Sequence, residues 1–522
     1  MQLLAAPVDR ARLPDDVEAL KDLLVEAGAA FLALRGQAAA QMASLAAQLA
    51  ELRRRLFGPR GETLSVLQPE LWQEAVELPV PPAAFDAVKG HRRRHGRPAL
   101  DAALPRRRIE HDLSDAEKAG FARVVRIGEE VSETLEYTPA KLEVLQHARL
   151  KYRCEDDSGG STIRTATAQA SPLPRCNAGA GLLAQVMVAK YADHCPLARQ
   201  ERILARHGAR VSRQTLCDWT LGAAELLAPL MVPLKQHVLG SAVIFTDDTT
   251  LALKPPRGES RGKTITARLW VYLAGGWLPG EGEQRWRRVA PAALYDFAVS
   301  RSGEHARRVL GAWAGFLQAD DFSGYAESFR SGVTHAACLV HARRRFTKVV
   351  QAAPKGSPPG LAHEALRYFA EVYRIEAGIR QADPDERLRV RQAHTRPAMA
   401  DFHRWLSGHA PMLLPKSPLG EAFSYALSNW SALNTFVEHG ILEADNNASE
   451  RAMAPVVLSR KNWLFAGSER GGRAAATAFS LIETARLNAV EPYAYLRDVL
   501  QRIGGHRQDR LAELLPMHWK PA

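Results

Sequence analysis

The chain has 522 residues, of which 46% are hydrophobic and 24% are charged, so we expect a soluble globular protein of three or four domains or subdomains. Lysine and arginine number 69 against 57 acidic residues, a net charge of +12. That excess favours an anionic partner, with nucleic acid ahead of a membrane surface. No export signal or long apolar span is recognisable, so we expect a cytoplasmic, nucleoid-associated protein without a membrane partner.

The positive charge falls in arginine-rich clusters rather than being evenly spread. Because the planar guanidinium can donate two parallel hydrogen bonds, arginine suits phosphate, although a solvated surface explains any single cluster equally well. The five cysteines are scattered and lack the short paired spacing of a zinc site, which predicts a reduced compartment and no zinc. The clusters lie at residues 53–55, 92–94, 106–108 and 343–345.

Residues 14–56 have the apolar spacing of a long helix. The steps of three and four residues predict a coiled coil that brings copies of the chain together, with an amphipathic helix packed on its own domain as the alternative. Residues 57–175 are rich in proline and arginine and predict a linker with a small basic domain. The core positions of the coiled coil are Met42, Leu45, Leu49, Leu52 and Leu56.

Residues 176–238 are predicted to be helical and to contain a helix-turn-helix. The turn is expected at Gly208-Ala209, and Ser212 is expected to cap the second helix. Arg213, Gln214 and Thr215 would then stand at the start of a recognition helix and contact DNA. Helix pairs joined at glycine are common, so an ordinary helical hairpin is the alternative.

Strand signals follow in residues 239–361, in the segments SAVIFTDDTTLAL, TARLWVYLA, AALYDFAVS, GFLQADDF and THAACLV. A helix over residues 304–314 and a short later helix alternate with them, which predicts a mixed α/β sheet. Residues 362–440 are predicted to be a helical insertion, and residues 441–500 to complete the sheet domain with two or three helices before a tail at 501–522.

Three acidic residues have unusual positions within these elements. Asp247 lies inside an apolar strand, Asp320 ends a later strand, and Glu450 falls in the first turns of a helix that Asp445 to Asn447 can cap. A carboxylate inside a strand is costly unless it is paired or bound to metal. Such a triad could hold two Mg²⁺ or Mn²⁺ ions for phosphoryl transfer, with Asp247 bridging both. Solvated strand ends and an exposed helix pair are the alternatives.

The segments DNNASERA, VVLSRKNWLFAGSERGGRAAA, SLIETARLN and PYAYLRDVL, with FTDDT, LQADDFSGY, CLVHARRRF and LRRRLFGPRGE before them, resemble the large transposase of the bacterial insertion-sequence family sixty-six. The resemblance covers nearly the whole chain in the family's order. It implies an RNase H-like fold and a DDE-type site of Asp247, Asp320 and Glu450, chosen over Asp248 and Asp321. The family's paired cysteines after the coiled coil are missing here, since only Cys154 remains.

The resemblance also implies roles for other residues. Cys338 and His341 are similar to a Cys-x-x-His pair that supports the site in related transposases, and Asn446 is expected to support it as well. The expected partners are the element's terminal inverted repeats, target DNA, further copies of the chain and accessory proteins of the same element. By their charge, Arg460, Lys461 and Arg470 are candidates to contact DNA phosphate near Glu450, and a solvated helix end explains Arg460 and Lys461 equally well.

Two other functions share these features. A decayed copy could bind element ends without cutting them, although acidic residues at all three positions argue against it. A metal-dependent nuclease could cut DNA without joining strands, and analogy of fold does not separate it from a transposase. The predicted coiled coil favours transposition, because pairing two DNA ends requires a multimer.

Overall fold

The protein is described here by a computed structural model. Contacts divide the chain into two compact units, Met1–Leu78 with Ala166–Ala522, and Pro79–Thr165. The predicted coiled coil, apart from a few isolated positions, and most of residues 57–175 lie outside the described residues. The description covers residues 171–521 except 175, 256–263, 282–284 and 355, the strands Lys151–Glu155 and Ser161–Thr165, and isolated positions before them.

In the smaller unit, β1 (Lys151–Glu155) and β2 (Ser161–Thr165) form an antiparallel pair. Cys154 lies opposite Thr162 in this register. Threonine and isoleucine in β2 favour extended backbone because their branched side chains are stiff.

From residue 171 onward, the first helices of the larger unit are α1 (Ala180–Tyr191), α2 (Leu197–Arg206), α3 (Arg213–Leu227) and α4 (Met231–Leu239). Gly208 has φ of +88°, a conformation that glycine adopts without strain, and it ends α2. The Ser212 hydroxyl accepts a hydrogen bond of 3.1 Å from the Thr215 N–H and so caps α3. The two predicted helices, the turn and the cap are confirmed.

The stretch Arg213–Leu239, which includes α3 and α4, is long and apolar enough by length and composition to cross a membrane, alone among the helices of the described residues. This is weak support for a span, because the core helix of a soluble protein passes the same test. Leu216, Ala223 and Leu227 of this stretch are buried in the hydrophobic core.

The central sheet has five strands in the order β7-β4-β3-β8-β9. Neighbours β3, β4 and β7 run antiparallel, and β8 and β9 join β3 in parallel. Residues Leu269–Ala274 of β4 are all buried, so protein covers both faces of this strand. The predicted mixed α/β sheet is confirmed. Its strands are β3 (Val243–Leu253), β4 (Ile265–Gly275), β7 (Ala292–Ala298), β8 (Phe316–Ala319) and β9 (Thr334–Ala337).

Two details differ from the sequence prediction. A separate antiparallel pair, β5 (Trp277–Pro279) and β6 (Trp286–Arg288), lies between β4 and β7 in a stretch that reads as polar and turn-rich. The helix expected at 304–314 is α5 (Gly303–Leu310) and ends earlier, because Gly311 takes a φ of +57°.

The chain after β9 is helical, and the predicted insertion at residues 362–440 consists of helices. After α6 (Ala326–Arg330), the packing is aromatic: Phe346, Phe369 and Phe402 meet with ring centroids 5.1–5.8 Å apart in successive pairs. The helices are α7 (Leu339–Ala352), α8 (Leu361–Ile379), α9 (Pro384–Val390), α10 (Arg396–His409), α11 (Pro418–Ser428) and α12 (Trp430–Glu438), with a π-helical turn Arg391–Thr395 between α9 and α10.

The closing segment forms α13 (Asn447–Trp463), α14 (Glu469–Leu487) and α15 (Pro492–Arg502). Helix α14 packs directly on β7, and a Cβ at Gly472 would come within 2.4 Å of the Phe297 ring. β7 is an edge strand, and a buried hydroxyl of α14 hydrogen-bonds to its outer side: Ser480 Oγ accepts from the Tyr295 N–H at 2.8 Å. The run of glycine and alanine in this helix therefore allows close contact with the sheet edge.

Candidate active site

Asp247 and Asp320 meet because β3 and β8 are parallel neighbours. The register pairs Phe245 with Gln318, and continuing it by two residues places Asp320 beside Asp247. Asp247 lies within β3, as predicted, and Asp320 is the first residue after β8. The two carboxylates therefore reach one edge of the sheet from adjacent strands.

Both strand carboxyls are held in surroundings that disfavour their charge. Burial raises the pKa of Asp247 to about 7, and the nearby carboxylates of Asp320 and Glu450 add to the rise. The Asp248 N–H donates to Asp247 Oδ1 at 2.8 Å and partly offsets it. Burial likewise raises the pKa of Asp320, against opposing effects of His341 and Arg301. A cation placed between these groups would relieve the crowding of negative charge.

Glu450 lies in the first turn of α13, with its side chain 9% exposed. Arg344 Nη2 contacts both of its carboxylate oxygens, at 3.1 and 3.3 Å. His341, one turn before Arg344 on α7, places Nε2 at 3.6 Å from Glu450 Oε1. Burial lowers the pKa of His341, and the Glu450 carboxylate opposes that shift. The Glu450 carboxylate is therefore contacted by two side chains of α7, Arg344 and His341.

A buried side chain connects α13 to the strand that carries Asp247. Asn446 is fully buried, and its Nδ2 donates to the Thr246 carbonyl at 2.9 Å. Its backbone N–H donates to the Cys338 sulfur at 3.1 Å. Asn446 is the N-cap residue, and the N–H of Asn447, the first residue of the helix, donates to Asp445 Oδ1 at 3.0 Å. Asn446 and Cys338 therefore lie between the elements that bear Asp247 and Glu450.

Gln318 on β8 holds the segment that leads into α13. Its Nε2 donates to the carbonyls of Glu443 and Asp445, at 2.9 and 3.2 Å, and its Oε1 accepts from the Glu443 N–H. Gln318 has no exposed surface, so a buried polar side chain here is fully used. Its side chain therefore links β8 to the backbone of the loop before Glu450.

Asp248 points into a different environment from Asp247. Its side chain is 3% exposed, and Arg268 Nη1 donates to its Oδ2 at 2.8 Å. Arg301 donates to its Oδ1 from Nε and Nη2, at 3.0 and 2.8 Å. Both oxygens of Asp248 are therefore bonded to arginine.

The residues predicted to read DNA occupy the start of α3. Arg213 and Gln214 are exposed, and Thr215 is half-buried. The Arg213 N–H donates to Glu201 of α2 at 3.2 Å, which ties the two helices together. The Gln214 amide donates to Asp218 on the same helix at 3.0 Å. Their role in DNA contact stays a prediction.

The residues predicted to grip phosphate differ in their surroundings. Arg460 Nη1 donates to the Thr250 carbonyl at 2.8 Å and to the Thr249 hydroxyl at 3.0 Å, so it ties α13 to β3. Arg470 makes a two-pronged ion pair with Glu225 of α3, and both side chains are more than half exposed. Lys461 is half-buried on α13. Contact of these three residues with DNA stays a prediction.

Sequence reasoning missed three groups at the site: Gln318, Arg344 and the Asp248–Arg301 pair. Arg344 could have been found, because it lies three residues after His341 and shares its helix face. Asp248 could have been separated from Asp247 by the alternation of side chains along a strand. Gln318 and Arg301 carry no sequence signal, since their partners are distant in the chain.

The donor atoms at this edge are of the kind that hard divalent cations prefer, because all three side chains are carboxylates. Asp247, with its raised pKa and carboxylate neighbours, fits a ligand of such an ion. Within the described ranges, no three acidic, histidine or cysteine side chains have the spacing of a formed metal site. Here Arg301 and Arg344 supply the positive charge beside Asp320 and Glu450.

Comparison with known families covers most of the chain. The family described as "Transposase IS66 family" matches residues 175–474, which is more than half of the 522 residues and includes all three carboxylates. The "IS66 C-terminal element" matches residues 480–517.

The chain belongs to the IS66 transposase family.

The N-terminal part of this IS66 family transposase matches two further family segments. Residues 44–109 match "Transposase C of IS166 homeodomain", and residues 119–156 match the "zinc-finger binding domain of transposase IS66". Cys154 is the single cysteine in the sequence of the latter segment. The family match hints at zinc there, so the absence of zinc stays a prediction. DNA is the partner that these family segments support.

Curated relatives extend over nearly the whole IS66 family chain. "Uncharacterized protein y4hP" of Sinorhizobium fredii is 33% identical over 92% of this chain and 89% of the relative. "Uncharacterized protein y4jD" of the same organism is 33% identical over 98% and 97%. A third, "Uncharacterized protein y4qI", is 30% identical over 98% of both chains. The sequence similarity to these relatives thus extends over at least 92% of this chain.

Proposed function

We propose that this transposase cleaves DNA at the ends of its insertion sequence and joins the released 3′ ends to target DNA. The observation that carries the proposal is the convergence of Asp247, Asp320 and Glu450 at one sheet edge. Asp247 comes from β3, Asp320 from the end of β8 and Glu450 from α13. Asp320 and Glu450 both raise the pKa of Asp247, and the strand register places Asp320 beside it. A cluster of carboxylates without a structural need is expensive to bury, which favours a functional reason for it.

Asp247, Asp320 and Glu450 would hold two divalent cations, Mg²⁺ or Mn²⁺. When bound, such ions activate the attacking oxygen and stabilise the leaving oxygen of an in-line phosphoryl transfer. Asp247 is the candidate to be shared by both ions, since Asp320 and Glu450 both act on it. Asp248 is a poorer candidate, because two arginines donate to its oxygens at 2.8–3.0 Å, whereas the contacts from Arg344 to Glu450 are longer, at 3.1 and 3.3 Å.

We further propose that the catalytic domain is RNase H-like. The order β7-β4-β3-β8-β9, with three antiparallel strands followed by two parallel ones, supports this assignment. The helices α8 to α12 would be an insertion before the last carboxylate. Cys338, His341 and Asn446 would support the site through the contacts that join α7, α13 and β3.

DNA recognition is assigned to the helix pair α2 and α3, where Arg213 and Gln214 are exposed at the start of the second helix. The terminal inverted repeats would bind there, and residues 14–56 would pair two copies of the chain through a coiled coil. Accessory proteins of the same element are expected partners. Arg470 and Lys461 remain candidates for phosphate contacts near the site.

The test uses the full-length chain with labelled DNA that carries the terminal inverted repeats flanking its coding sequence. With Mg²⁺ or Mn²⁺ we expect nicks at the repeat ends, followed by products joined to target DNA. Asp247→Asn is expected to remove both steps and to keep DNA binding in a mobility-shift assay. Binding without cleavage by the unmodified chain would indicate a non-catalytic DNA-binding protein, and cleavage without joining would indicate a nuclease.

A further inference from the structure

Arg301 stands at the carboxylate edge without being part of the predicted triad. It follows β7 by three residues, and β7, β3 and β8 share one direction, so it reaches the edge where Asp320 follows β8. Its Nη2 lies 3.7 Å from Asp320 Oδ2. The guanidinium is therefore next to the group proposed to hold a cation.

The guanidinium is held in one orientation from two sides. Nε and Nη2 both donate to Asp248 Oδ1, at 3.0 and 2.8 Å. The Phe322 ring lies against it, with the ring centroid 4.1 Å from Cζ. Because the fork is planar and rigid, these contacts fix where its remaining N–H groups point.

The positive charge of Arg301 is only partly neutralised. Asp248 also accepts from Arg268 at 2.8 Å, so one carboxylate serves two guanidinium groups. The other acidic neighbour, Asp320, is 3.7 Å away and is the proposed cation ligand. In the described part of the chain, all hydrogen bonds of Arg301 come from Nε and Nη2, and its side chain is 39% exposed. Nη1 is thus free to donate to an incoming anion.

We propose that Arg301 contacts the scissile phosphate, and that Asp248 is a positioning residue that holds Arg301 for this contact. The inference rests on the proposed function and names a group that binds the reacting phosphate beside the carboxylates. A fixed guanidinium there would donate to a non-bridging phosphate oxygen and stabilise the charge that builds up during transfer. This role also explains the second residue of the Asp247-Asp248 doublet.

The first test compares Arg301→Ala and Arg301→Lys with the unmodified chain in single-turnover cleavage of end DNA. We expect Arg301→Ala to lower the cleavage rate about 100-fold, and Arg301→Lys to recover part of it because the charge remains and the fork is lost. Guanidinium ions added to Arg301→Ala should restore activity in part. Arg308→Ala is the matched control. Arg308 is 59% exposed and forms a 2.6 Å ion pair with the half-buried Asp296, and within the described residues it has no ion pair with Asp247, Asp320 or Glu450.

The second test measures Mn²⁺ binding to Arg301→Ala by titration calorimetry. It separates contact of Arg301 with phosphate from a role of Arg301 in shaping the carboxylate cluster. Removing a cation near Asp320 should leave Mn²⁺ affinity unchanged or raise it. A parallel fall of cleavage and of Mn²⁺ affinity in Arg301→Ala would mean that Arg301 only shapes the carboxylate cluster, and would overturn the proposal. So would a cleavage rate within about threefold of the unmodified chain.

Asp248 is tested by a double-mutant cycle. Asp248→Asn alone should lower the cleavage rate about tenfold, and Asp248→Asn combined with Arg301→Ala should be no slower than Arg301→Ala. Additive losses would overturn the positioning role. The exposed Arg301 variants decide the phosphate contact even if Asp248→Asn folds poorly.

The failure of this inference is distinguishable from failure of the proposed function. If the unmodified chain cleaves end DNA, Asp247→Asn does not, and Arg301→Ala is fully active, the function stands and the inference is wrong. An unmodified chain that binds end DNA and never cleaves it would overturn both.

Discussion

Asp247 lies on β3 and Asp320 directly follows the adjacent parallel strand β8, whereas Glu450 comes from a helix and lies 130 residues after Asp320. The strand pair is aligned by backbone hydrogen bonds, and its register alone places the two carboxylates side by side. The helix carboxylate is placed by buried side chains: Asn446 bonded to β3 and Gln318 bonded to the loop before the helix. One side of the site is built from the backbone and the other from side chains.

This difference has an energetic consequence. The β3–β8 pairing is held by backbone hydrogen bonds and does not use the Asp247 or Asp320 carboxylate, so we expect a carboxylate on the strand side to be changed without loss of fold. The helix side depends on a few buried polar groups, each of which leaves an unpaired partner when it is removed. Substitutions on the strand side should therefore affect activity alone, and those on the helix side should affect activity and stability together.

The largest effect is expected on the strand side. Asp320→Asn should lower the cleavage rate about 1,000-fold, because a ligand of the proposed cation loses its charge. The melting temperature should stay the same or rise, since burial raises the pKa of Asp320 and the charged form is costly. Single-turnover cleavage and thermal unfolding of the same preparation measure the two effects.

The neighbouring Asp321→Asn is the matched control. Asp321 is exposed, and its Oδ2 accepts a 3.0 Å hydrogen bond from the Asn429 side chain instead of facing the carboxylate cluster. We expect its cleavage rate to stay within about threefold of the unmodified chain. A large loss in Asp321→Asn with Asp320→Asn still active would mean that the wrong member of the doublet has been chosen, and an equal loss in both would contradict a role specific to Asp320.

The next effect is on the helix side and concerns Arg387 of α9. This guanidinium is 1% exposed and donates to the Leu442 carbonyl at 2.6 Å and to Glu443 at 3.0 Å, in the segment before Glu450. Arg387→Ala should lower the free energy of unfolding by about 3 kcal/mol, because it leaves a buried carbonyl unpaired and a cavity. Denaturant unfolding measures the change.

Arg389→Ala controls for loss of an arginine from the same helix, since Arg389 pairs with Glu386 on the surface and is 70% exposed. Its denaturant midpoint should be the same as that of the unmodified chain within experimental error, because solvent screens the exposed ion pair. Equal destabilisation in both variants would contradict a stabilising role for the buried hydrogen bonds of Arg387.

Removal of the direct link between helix and strand should have a smaller effect. Asn446→Ala leaves the Thr246 carbonyl without its 2.9 Å hydrogen bond. We expect a loss of about 2 kcal/mol in the free energy of unfolding and a fall in cleavage rate of about tenfold, because α13 is no longer held to β3. Asn434→Ala is the control, since within the described residues the Asn434 side chain donates to the Trp430 carbonyl one turn away and to no other element. A stable but slow variant would show that the link serves catalysis alone.

The smallest effect depends on pH. Burial raises the pKa of Asp445 to about 6 from an ordinary value of 3.8. The folded chain then binds more protons than the unfolded chain between these values, so the charge of Asp445 costs stability as the pH rises through about 4 to 6. Asp445→Asn should therefore raise stability by about 1 kcal/mol at pH 7.5, with part of the gain offset by a weaker hydrogen bond to the Asn447 N–H.

Thermal unfolding of Asp445→Asn and the unmodified chain at pH 4.5 and pH 7.5 checks this prediction. The advantage of the variant should shrink at the lower pH, because Asp445 is then largely protonated in the folded chain. A difference that is the same at both pH values would contradict the assigned pKa.

The sequence predicted the positions of the three carboxylates within their elements. Asp247 was expected inside a strand, Asp320 at a strand end and Glu450 in the first turns of a helix, and each expectation is confirmed. Local patterns carry this information, because strand alternation and capping residues act over a few positions. Their use as metal ligands stays a prediction. The cap of α3 by Ser212 was predictable for the same reason.

The amino-acid sequence alone determined the strands of the central sheet, most of the helices, their order and the family, since each depends on neighbouring residues or on motifs, whereas the β5–β6 pair was missed. Tertiary structure decided which side chains meet: Arg301 with Asp248, Arg344 with Glu450, Gln318 with the loop before α13, and Arg460 with β3 instead of open solvent. The physical reason is that a charged or amide side chain takes its partner from whatever folding brings within hydrogen-bond distance. For residues far apart in the chain, only the sheet register and the helix packing define that distance.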